Sequence, residues 1–391
     1  MLVGLPWIGD IGAGNSNGRR PRPPGCRLVG IGTALPPRVV TNLEIEGFLD
    51  TSNEWIESRT GIRERRVADP EVSLLQLALR AARAALVAGG LEASAVDTVI
   101  CSSSSPDTTF PSLACRLQAE LGCPHGPAFD VQAACSGAVY GLALAQSMVQ
   151  GGLSQTVLVV AAEIFSRVVD WQDRSTAVLF GDGAGAFLVG GPDSSGAEIV
   201  GLDLGADGAG ARALDTIAYA PSEVGLAAGR PGYAAAERAL GRVIHMDGRE
   251  VFRFSTKVLE QTVRRLCDAA QVEPGEIDYF VPHQANSRIL ATAAGRLKIP
   301  FERFACNVDR LGNTSSASIP LALAEAARSG RCRGGQLVCL VAFGAGLTWG
   351  GALLRWRPTG VVIDDPGDSG SQLEAGDRPA KSVVAEQEVS G

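Results

Sequence analysis

The chain repeats one pattern of residues at a fixed distance along its length. The segment 91–100 resembles the segment 272–281, at an offset of 272 − 91 = 181 residues. The apolar run 157–161 matches the run 338–342 at the same offset. Two landmarks in one register indicate an internal duplication, in which each half carries a similar set of elements. This repeat constrains the fold more than any single motif does.

Within each repeat, apolar runs of strand length alternate with stretches of helical periodicity. Strands are predicted at residues 27–31, 98–102 and 156–161. Helices are predicted at 74–87 and 136–149, because a Gly-Gly pair follows each of them. This alternation is typical of an α/β fold in which each half is a sheet between helices. A site is expected where the halves meet, at the ends of strands.

Composition separates the repeats from the two ends of the chain. Residues 1–25 and about 358–391 are rich in Gly, Pro, Ser and Glu and lack apolar periodicity, so we expect disordered tails there. Between them we place an N-terminal half at 26–204 and a C-terminal half at 205–357. The 391 residues, 46% of them hydrophobic, are enough for two large cores.

The bulk properties exclude several classes of function. A net charge of −7 argues against nucleic acid as a partner, because phosphate binding needs a basic face. No apolar segment approaches the roughly 20 residues of a membrane span, and the N-terminus does not resemble a secretory signal. Nine scattered cysteines without a C-x-x-C pair indicate a reducing compartment. We therefore expect a cytoplasmic protein with no metal site.

Cys135 is the candidate nucleophile. It follows a short predicted strand at 128–131 and precedes the helix predicted from Ser136. A helix start has unpaired N–H groups and a partial positive charge, which are expected to lower the pKa of a thiol placed there. Small neighbours on both sides leave room for a substrate beside the sulfur.

Three other polar or flexible turns complete the candidate site. The 181-residue offset places Cys135 on Ser316, within a turn that also contains Asn313. His283 lies at the end of an apolar strand, just before a helix predicted at 287–297. The segment 343–346, Phe-Gly-Ala-Gly, is a flexible turn whose N–H groups suit an oxyanion hole. A sulfur, an imidazole and a carboxamide at strand ends of one duplicated fold indicate nucleophilic chemistry.

The sequence resembles the β-ketoacyl-acyl carrier protein synthase III family of the thiolase superfamily, from about residue 27 to 357. Five motifs carry the resemblance in order: TSNEWIESRTGI at 51–62, ACSG at 134–137, FGDGAG at 180–185, HQAN at 283–286 and GNTS at 312–315. The resemblance implies a thiolase-like fold with two duplicated halves in a five-layered αβαβα arrangement. It also implies a homodimer.

In that family, a Cys accepts the acyl group of an acyl-CoA. A His and an Asn then bind the thioester carbonyl of malonyl-acyl carrier protein while CO2 leaves, and the enolate attacks the acyl-Cys. The resemblance assigns these roles to Cys135, His283 and Asn313. It places an oxyanion hole at the backbone N–H groups of Cys135 and Ala345. The thioester is a substrate, and no cofactor is implied.

The resemblance also implies binding residues for both substrates. The expected CoA contacts are Trp55, Arg59, Thr60, Arg174, Asn286 and the Gly248 backbone. The expected landing patch for an acidic carrier protein is Arg288 with Arg253 and Arg296. Phe110 matches the position that, in the family, helps shape the acyl pocket of the other subunit.

The segment 181–185, Gly-Asp-Gly-Ala-Gly, resembles part of a dinucleotide fingerprint, but the G-x-G-x-x-G spacing fails. We interpret it as a tight turn with close strand packing.

The resemblance fits two related functions, and the residues disfavour two others. The first is the condensing enzyme that initiates fatty acid synthesis; the alternative is a starter-unit priming ketosynthase or acyltransferase of a polyketide or other specialised pathway. His283 and Asn313 favour condensation, because acyl transfer alone needs no decarboxylation. A plain thiolase is disfavoured because the turn at 344–347 has no second Cys. Cys135 argues against a silent partner subunit.

Overall fold

The structure is a computed structural model that describes residues 25–216 and 244–366. Most of the two predicted tails, residues 1–24 and 367–391, lies outside this range. In chain order the strands are β1 (Cys26–Ala34), β2 (Arg38–Thr41), β3 (Glu64–Val67), β4 (Thr98–Ser102), β5 (Ala128–Asp130), β6 (Thr156–Glu163), β7 (Gly183–Gly190), β8 (Ala197–Ala206), β9 (Leu214–Thr216), β10 (Ile244–Met246), β11 (Tyr279–Pro282), β12 (Leu337–Gly344), β13 (Thr348–Arg355) and β14 (Gly360–Asp364).

The helices described in the same ranges are α1 (Asn42–Glu46), α2 (Asn53–Thr60), α3 (Leu74–Gly89), α4 (Leu113–Leu121), α5 (Gly137–Gln150), α6 (Arg174–Ala177), α7 (Gly248–Ala270), α8 (Ser287–Leu297), α9 (Val308–Leu311) and α10 (Ser318–Arg328). The predicted helix at 287–297 is confirmed at both ends. The helix predicted at 74–87 runs two residues further. It starts at a capping box between Ser73 and Gln76 and ends at Gly90, whose φ is 63°.

The two halves have the same sheet topology. In the N-terminal half the strands lie in the order β5-β4-β6-β7-β1, and in the C-terminal half β11-β12-β13-β8 follow the same order. A parallel bridge between Phe280 and Phe304 stands where β5 stands in the first half. In both halves the last two pairings of the order are antiparallel and the others parallel. The duplication predicted from the sequence is therefore confirmed.

The 181-residue register holds at the level of single turns. β6 begins at Thr156 and β12 at Leu337, and 337 − 156 = 181. The 3₁₀ turns that begin at Ala134 and Ser315 are separated by 315 − 134 = 181 residues. Both residues have left-handed backbone conformations, with φ of 45° and 47°. Non-glycine residues rarely adopt this conformation, and such strain is concentrated at functional sites.

Helices pack on both faces of each sheet. α3 covers the outer face of the N-terminal sheet, α7 and α8 cover that of the C-terminal sheet, and α5 and α10 contact strands of both halves. Residues of these central helices and of both sheets form one buried apolar cluster. This is the expected five-layered arrangement. A short pairing of residues 26–28 in β1 with 197–199 in β8 links the sheets.

Two predicted boundaries shift. β8 is the first strand of the C-terminal unit and starts at Ala197, before the expected boundary at 205. β14 lies inside the expected C-terminal tail and pairs in parallel with residues 30–34 of β1. This strand is hard to predict from the sequence because it is short and begins at the Gly of a Pro-Thr-Gly segment, a composition typical of turns.

Candidate active site

Cys135 lies in the 3₁₀ turn between β5 and α5, and its side chain is only 6% exposed. Ser315, from the equivalent turn of the C-terminal half, donates a hydrogen bond from Oγ to Cys135 Sγ at 3.3 Å. The two duplicated turns therefore face each other where the halves meet, which is where the sequence predicts a site. The nucleophile candidate of one half is contacted directly by the other half.

The expectation that the pKa of Cys135 is lowered is wrong in this structure. Burial raises the pKa of Cys135 to about 12; the Ser315 hydrogen bond lowers it, and the Glu163 carboxylate raises it. Desolvation penalises the thiolate more than its hydrogen bonds stabilise it. Cys135 is therefore a neutral thiol in this structure, and its proton must leave as a substrate is attacked.

His283 directly follows β11 and is buried. Its N–H donates to Val341 O at 2.8 Å, which extends the pairing of β11 with β12. The ring nitrogen Nδ1 lies 2.7 Å from Ser318 Oγ, and the ring packs edge-on against Phe343. Burial lowers the pKa of His283 to about 3. The imidazole is therefore neutral at physiological pH.

This buried imidazole predicts a pH dependence of stability. Between pH 6.5 and about 3 the unfolded chain binds a proton at His283 that the folded chain does not. Stability therefore falls as the pH drops through this window, by at most about 1.4 kcal/mol per pH unit for one proton. Urea unfolding at a series of pH values gives the free energy of unfolding at each pH. Plotted against pH across this window, that free energy should have a shallower slope for His283→Asn than for the unsubstituted protein. Equal slopes would contradict a neutral buried imidazole.

Asn313 presents a carboxamide beside the same turn. Its Oδ1 accepts a hydrogen bond from Ser315 N–H at 2.9 Å, so Nδ2 is the end available to donate. In the N-terminal half, Gln132 Oε1 accepts from Ala134 N–H at 3.3 Å in the equivalent place. Asn313 is 7% exposed and, as an amide, donates without titrating.

The turn after β12 lies directly against the nucleophile turn. A Cβ at Gly344 would stand 2.7 Å from Cys135 N, so only glycine permits this approach. Thr348 Oγ1 lies 3.0 Å from Ala133 O and 3.1 Å from Ala345 O, and so ties the two turns together. The backbone of Ala345 is thus held near that of Cys135, as an oxyanion hole requires.

Glu163 at the end of β6 is a site residue that sequence reasoning missed. It is fully buried, and its carboxylate accepts hydrogen bonds from the Oγ atoms of Ser103, Ser105 and Ser316 and from Ser104 N–H, at 2.6–3.2 Å. Ser316 belongs to the C-terminal half, so the carboxylate connects the halves beside Cys135. A Glu directly after a long apolar strand was the available signal, since buried acids are rare.

Removing this carboxylate should destabilise the fold strongly. We expect Glu163→Ala to lower the free energy of unfolding by about 3 kcal/mol, because four buried donors lose their acceptor. Glu163→Gln should lower the free energy of unfolding by less than half as much. Its amide oxygen can still accept hydrogen bonds from some of these donors, and a serine hydroxyl can accept one from its NH2 group. Urea denaturation measures both. Equal losses would contradict a role based on hydrogen bonding.

Most of the predicted CoA residues lie on or beside α2. The guanidinium of Arg174 stacks over the Trp55 ring, 4.9 Å from its centroid. Asn286 Nδ2 donates to Arg59 O at 3.1 Å, which joins the start of α8 to α2. Thr60 is buried, and its hydroxyl donates to Ile56 O. Its side chain therefore has a local structural role.

The remaining predicted contacts lie on the surface. Gly248 is the first residue of α7, whose side-chain cap is Asp247. Arg253 of α7 and Arg288 and Arg296 of α8 are exposed on two helices that pack together. Phe110 is 84% exposed, more than any other large apolar side chain described.

The close packing expected of the Gly-rich segment 181–185 is confirmed, but the expected tight turn is not, because Gly181 and Asp182 lead directly into β7. A Cβ at Gly181 would stand 2.2 Å from Leu311 O, and one at Gly185 would stand 2.5 Å from Pro320 Cγ. Asp182 is buried and accepts from Ala68 N–H and from the hydroxyl and N–H of Ser166. These glycines permit close packing of β7 against the C-terminal half.

Within residues 25–216 and 244–366, no three His, Cys, Asp or Glu side chains are grouped so that they could hold a metal ion. No helix in the described part of the chain is long and apolar enough to cross a membrane.

Two family models match the chain. The model of 3-oxoacyl-[acyl-carrier-protein] synthase III matches residues 129–208, and the model of its C-terminal part matches 267–356. A β-ketoacyl-[acyl-carrier-protein] synthase III of Caldanaerobacter subterraneus subsp. tengcongensis is 42% identical over 84% of this chain and 97% of its own length. The corresponding protein of Xanthomonas campestris pv. campestris is 45% identical over 84% of this chain and 98% of its own.

Solved structures agree with these relatives. The 3-oxoacyl-(acyl carrier protein) synthase III of Pseudomonas aeruginosa PAO1 is 40% identical and superposes with a TM-score of 0.78, covering 86% of this chain and 99% of that one. The priming β-ketosynthase of the R1128 polyketide biosynthetic pathway is 36% identical, with a TM-score of 0.76, covering 89% of this chain and 99% of that one.

Fold and comparisons together define the class: a condensing acyltransferase with a thiolase-like fold. Within that class, the chain belongs to the β-ketoacyl-[acyl-carrier-protein] synthase III family.

Proposed function

We propose that this enzyme initiates fatty acid biosynthesis by joining an acyl group from acyl-CoA to a malonyl unit carried on acyl carrier protein. One observation carries the proposal: Cys135 of the N-terminal half contacts the Asn313 turn of the C-terminal half. The contact is the 3.3 Å hydrogen bond from Ser315 Oγ to Cys135 Sγ. The identity with named synthases supports initiation over the priming of a specialised pathway.

In the first step, Cys135 Sγ attacks the thioester carbonyl of acyl-CoA. The carbon–sulfur bond to CoA breaks, and the thiol proton ends on the CoA sulfur, so acyl-Cys and free CoA are formed. Negative charge develops on the carbonyl oxygen during the attack. The N–H groups of Cys135 and Ala345 are the proposed donors for that oxygen, and Thr348 joins their two turns through the carbonyls of Ala133 and Ala345.

In the second step, malonyl-acyl carrier protein loses CO2. The electrons of the broken bond form an enolate, whose oxygen is stabilised by donors from His283 and Asn313. The enolate carbon attacks acyl-Cys and breaks its carbon–sulfur bond, and the released Cys135 thiolate takes up a proton from solvent. A neutral imidazole suits this role, because it donates from one nitrogen without giving up its proton.

A two-stage experiment tests the function. The protein is incubated with a panel of acyl-CoAs, and intact mass identifies the acyl adduct. Malonyl-acyl carrier protein is then added, and CO2 and the carrier-bound product are measured. Loss of the adduct together with CO2 release supports the proposal. An adduct transferred to carrier protein without CO2 release would instead support a simple acyltransferase.

The Trp55–Arg174 pair is the proposed adenine site of CoA. An indole and a guanidinium both stack on flat heterocycles, and the two must separate to admit a ring between them. Arg59 and Asn286, joined by their hydrogen bond, are proposed to line the path of the phosphates and the pantetheine arm, which leads past Thr60 and the Gly248 backbone.

We expect Trp55→Ala to raise KM for acyl-CoA about 10-fold, since stacking on a base is worth about 1–3 kcal/mol. The rate with a truncated thioester that lacks the nucleotide should be unchanged, because such a substrate never reaches the indole. Steady-state kinetics with both thioesters make the comparison. An equal loss on both substrates would contradict an adenine site.

The exposed arginines of α7 and α8 are the proposed landing site of the acidic carrier protein. Arg288 lies with its guanidinium 5.9 Å from the centroid of the Phe252 ring, which joins the two helices. Arg296 lies 3.6 Å from Glu260, so part of its charge is compensated. Together with Arg253 they place three exposed guanidinium groups on these two helices, a charge that suits an acidic partner.

We also propose a homodimer located in the cytoplasm. Phe110 is 84% exposed in the single chain, and it matches the family position that completes the acyl pocket of the other subunit. The nine cysteines are all free, as expected in a reducing compartment. Sedimentation equilibrium tests the dimer, and a monomer at micromolar concentration would exclude it.

A further inference from the structure

We propose that Ser318 is a positioning residue that fixes the tautomer of His283, so that the ring proton resides on Nε2 and is directed at the thioester oxygen. The inference deepens the proposed function and rests on it for its catalytic consequence. The tautomer itself follows from the hydrogen bonds around one hydroxyl group.

Ser318 is the first residue of α10 and is buried. Its Oγ lies 2.7 Å from His283 Nδ1, a distance at which one of the two atoms must donate. The other group at this hydroxyl is Gln284 N–H, which lies 3.4 Å away and is a donor only. Among the described residues, no carbonyl or carboxylate accepts a hydrogen bond from Ser318 Oγ.

A serine hydroxyl has a single proton to donate. Since Gln284 N–H occupies an acceptor position, the Ser318 proton has only His283 Nδ1 to point at. Nδ1 is therefore the acceptor, and in a neutral ring the proton must be on Nε2. The opposite tautomer would place two donors on Ser318 Oγ and leave its own proton buried without an acceptor.

The duplication shows that this pair is specific to one half. The 181-residue offset places His283 on Ser102 and Ser318 on Gly137, since 283 − 102 = 318 − 137 = 181. A Cβ at Gly137 would stand 1.7 Å from Ser102 Oγ, so the N-terminal half leaves no space for a second side chain there. Only the C-terminal half has an imidazole at this strand end, and only there does a hydroxyl support it.

The tautomer can be measured directly because the chain contains three histidines. A His125→Gln/His245→Gln background replaces two exposed rings and leaves His283 as the single ¹⁵N-histidine signal. Long-range ¹H–¹⁵N correlation spectra distinguish a protonated from an unprotonated ring nitrogen. We expect a protonated Nε2 and an unprotonated Nδ1 at neutral pH. A proton on Nδ1 would overturn the proposal without any kinetic measurement, and without any variant at Ser318.

In the same background, Ser318→Ala removes the donor to His283 Nδ1 and should lower the fraction of the Nε2–H tautomer. We expect decarboxylative condensation to fall about 10-fold or more while acyl-Cys formation stays within about 2-fold, because only the second step uses the imidazole proton. Ser318→Thr keeps the hydroxyl and should restore the tautomer and the rate. Ser255→Ala removes another buried hydroxyl, away from His283, and should change neither.

An Nε2–H fraction that is unchanged in Ser318→Ala would overturn the proposal even if condensation slowed. The spectrum also separates this proposal from the proposed function. A protein with the expected tautomer that releases no CO2 from malonyl-acyl carrier protein would refute the function and leave the role of Ser318 in place.

Discussion

Cys135→Ala should abolish the acyl adduct and lower the rate of condensation by about 10⁴-fold or more, as expected when a covalent nucleophile is removed. No other described cysteine combines burial between the halves with a hydrogen bond from the opposite turn. The alanine methyl group is smaller than the thiol, so the fold and the donors on the other half should survive. Intact mass after incubation with acyl-CoA measures the adduct, and product formation measures the rate.

Cys115→Ala is the matched control, because it makes the same change at an exposed cysteine. It should retain the adduct and the full rate. Ser315→Ala keeps the nucleophile but removes its 3.3 Å hydrogen bond, and should slow adduct formation without preventing it. An adduct of unchanged yield on Cys135→Ala would show that another cysteine carries the acyl group.

The sequence predicts the architecture of this chain well, because a duplication constrains both halves at once. The offset found by self-comparison reappears in the strand starts and in the strained residues Ala134 and Ser315. The same offset relates Cys135 to the Asn313 turn from the sequence alone. Periodicity and capping residues then placed α3 and α8.

The chemistry within the site was less predictable. The rule that a helix start lowers a thiol pKa failed at Cys135, because burial by the opposite half is a tertiary effect that local sequence does not contain. Glu163 was missed for a similar reason. Its partners are three serines and a backbone N–H from distant segments, and no single motif links them.

His283→Ala and Asn313→Ala should each preserve acyl transfer to Cys135 and impair decarboxylation of the malonyl substrate. Because neither side chain is needed for attack on acyl-CoA, both variants should form acyl-Cys135 in normal yield. We expect CO2 release from malonyl-acyl carrier protein to fall by about 10²–10³-fold in each, the typical cost of removing one donor from a developing oxyanion. Mass spectrometry measures the first step and a CO2 assay the second.

Two variants control for changes of the same kind elsewhere. Gln132→Ala removes the carboxamide that occupies the position of Asn313 in the N-terminal half, and His245→Ala removes an exposed imidazole. Both should keep CO2 release near the level of the unsubstituted enzyme. If both donors act on one enolate oxygen, His283→Ala/Asn313→Ala should lose less than the product of the single effects, because groups that act as a unit are not additive. Strictly multiplicative losses would mean that the two side chains act on different atoms, which would contradict a shared oxyanion site.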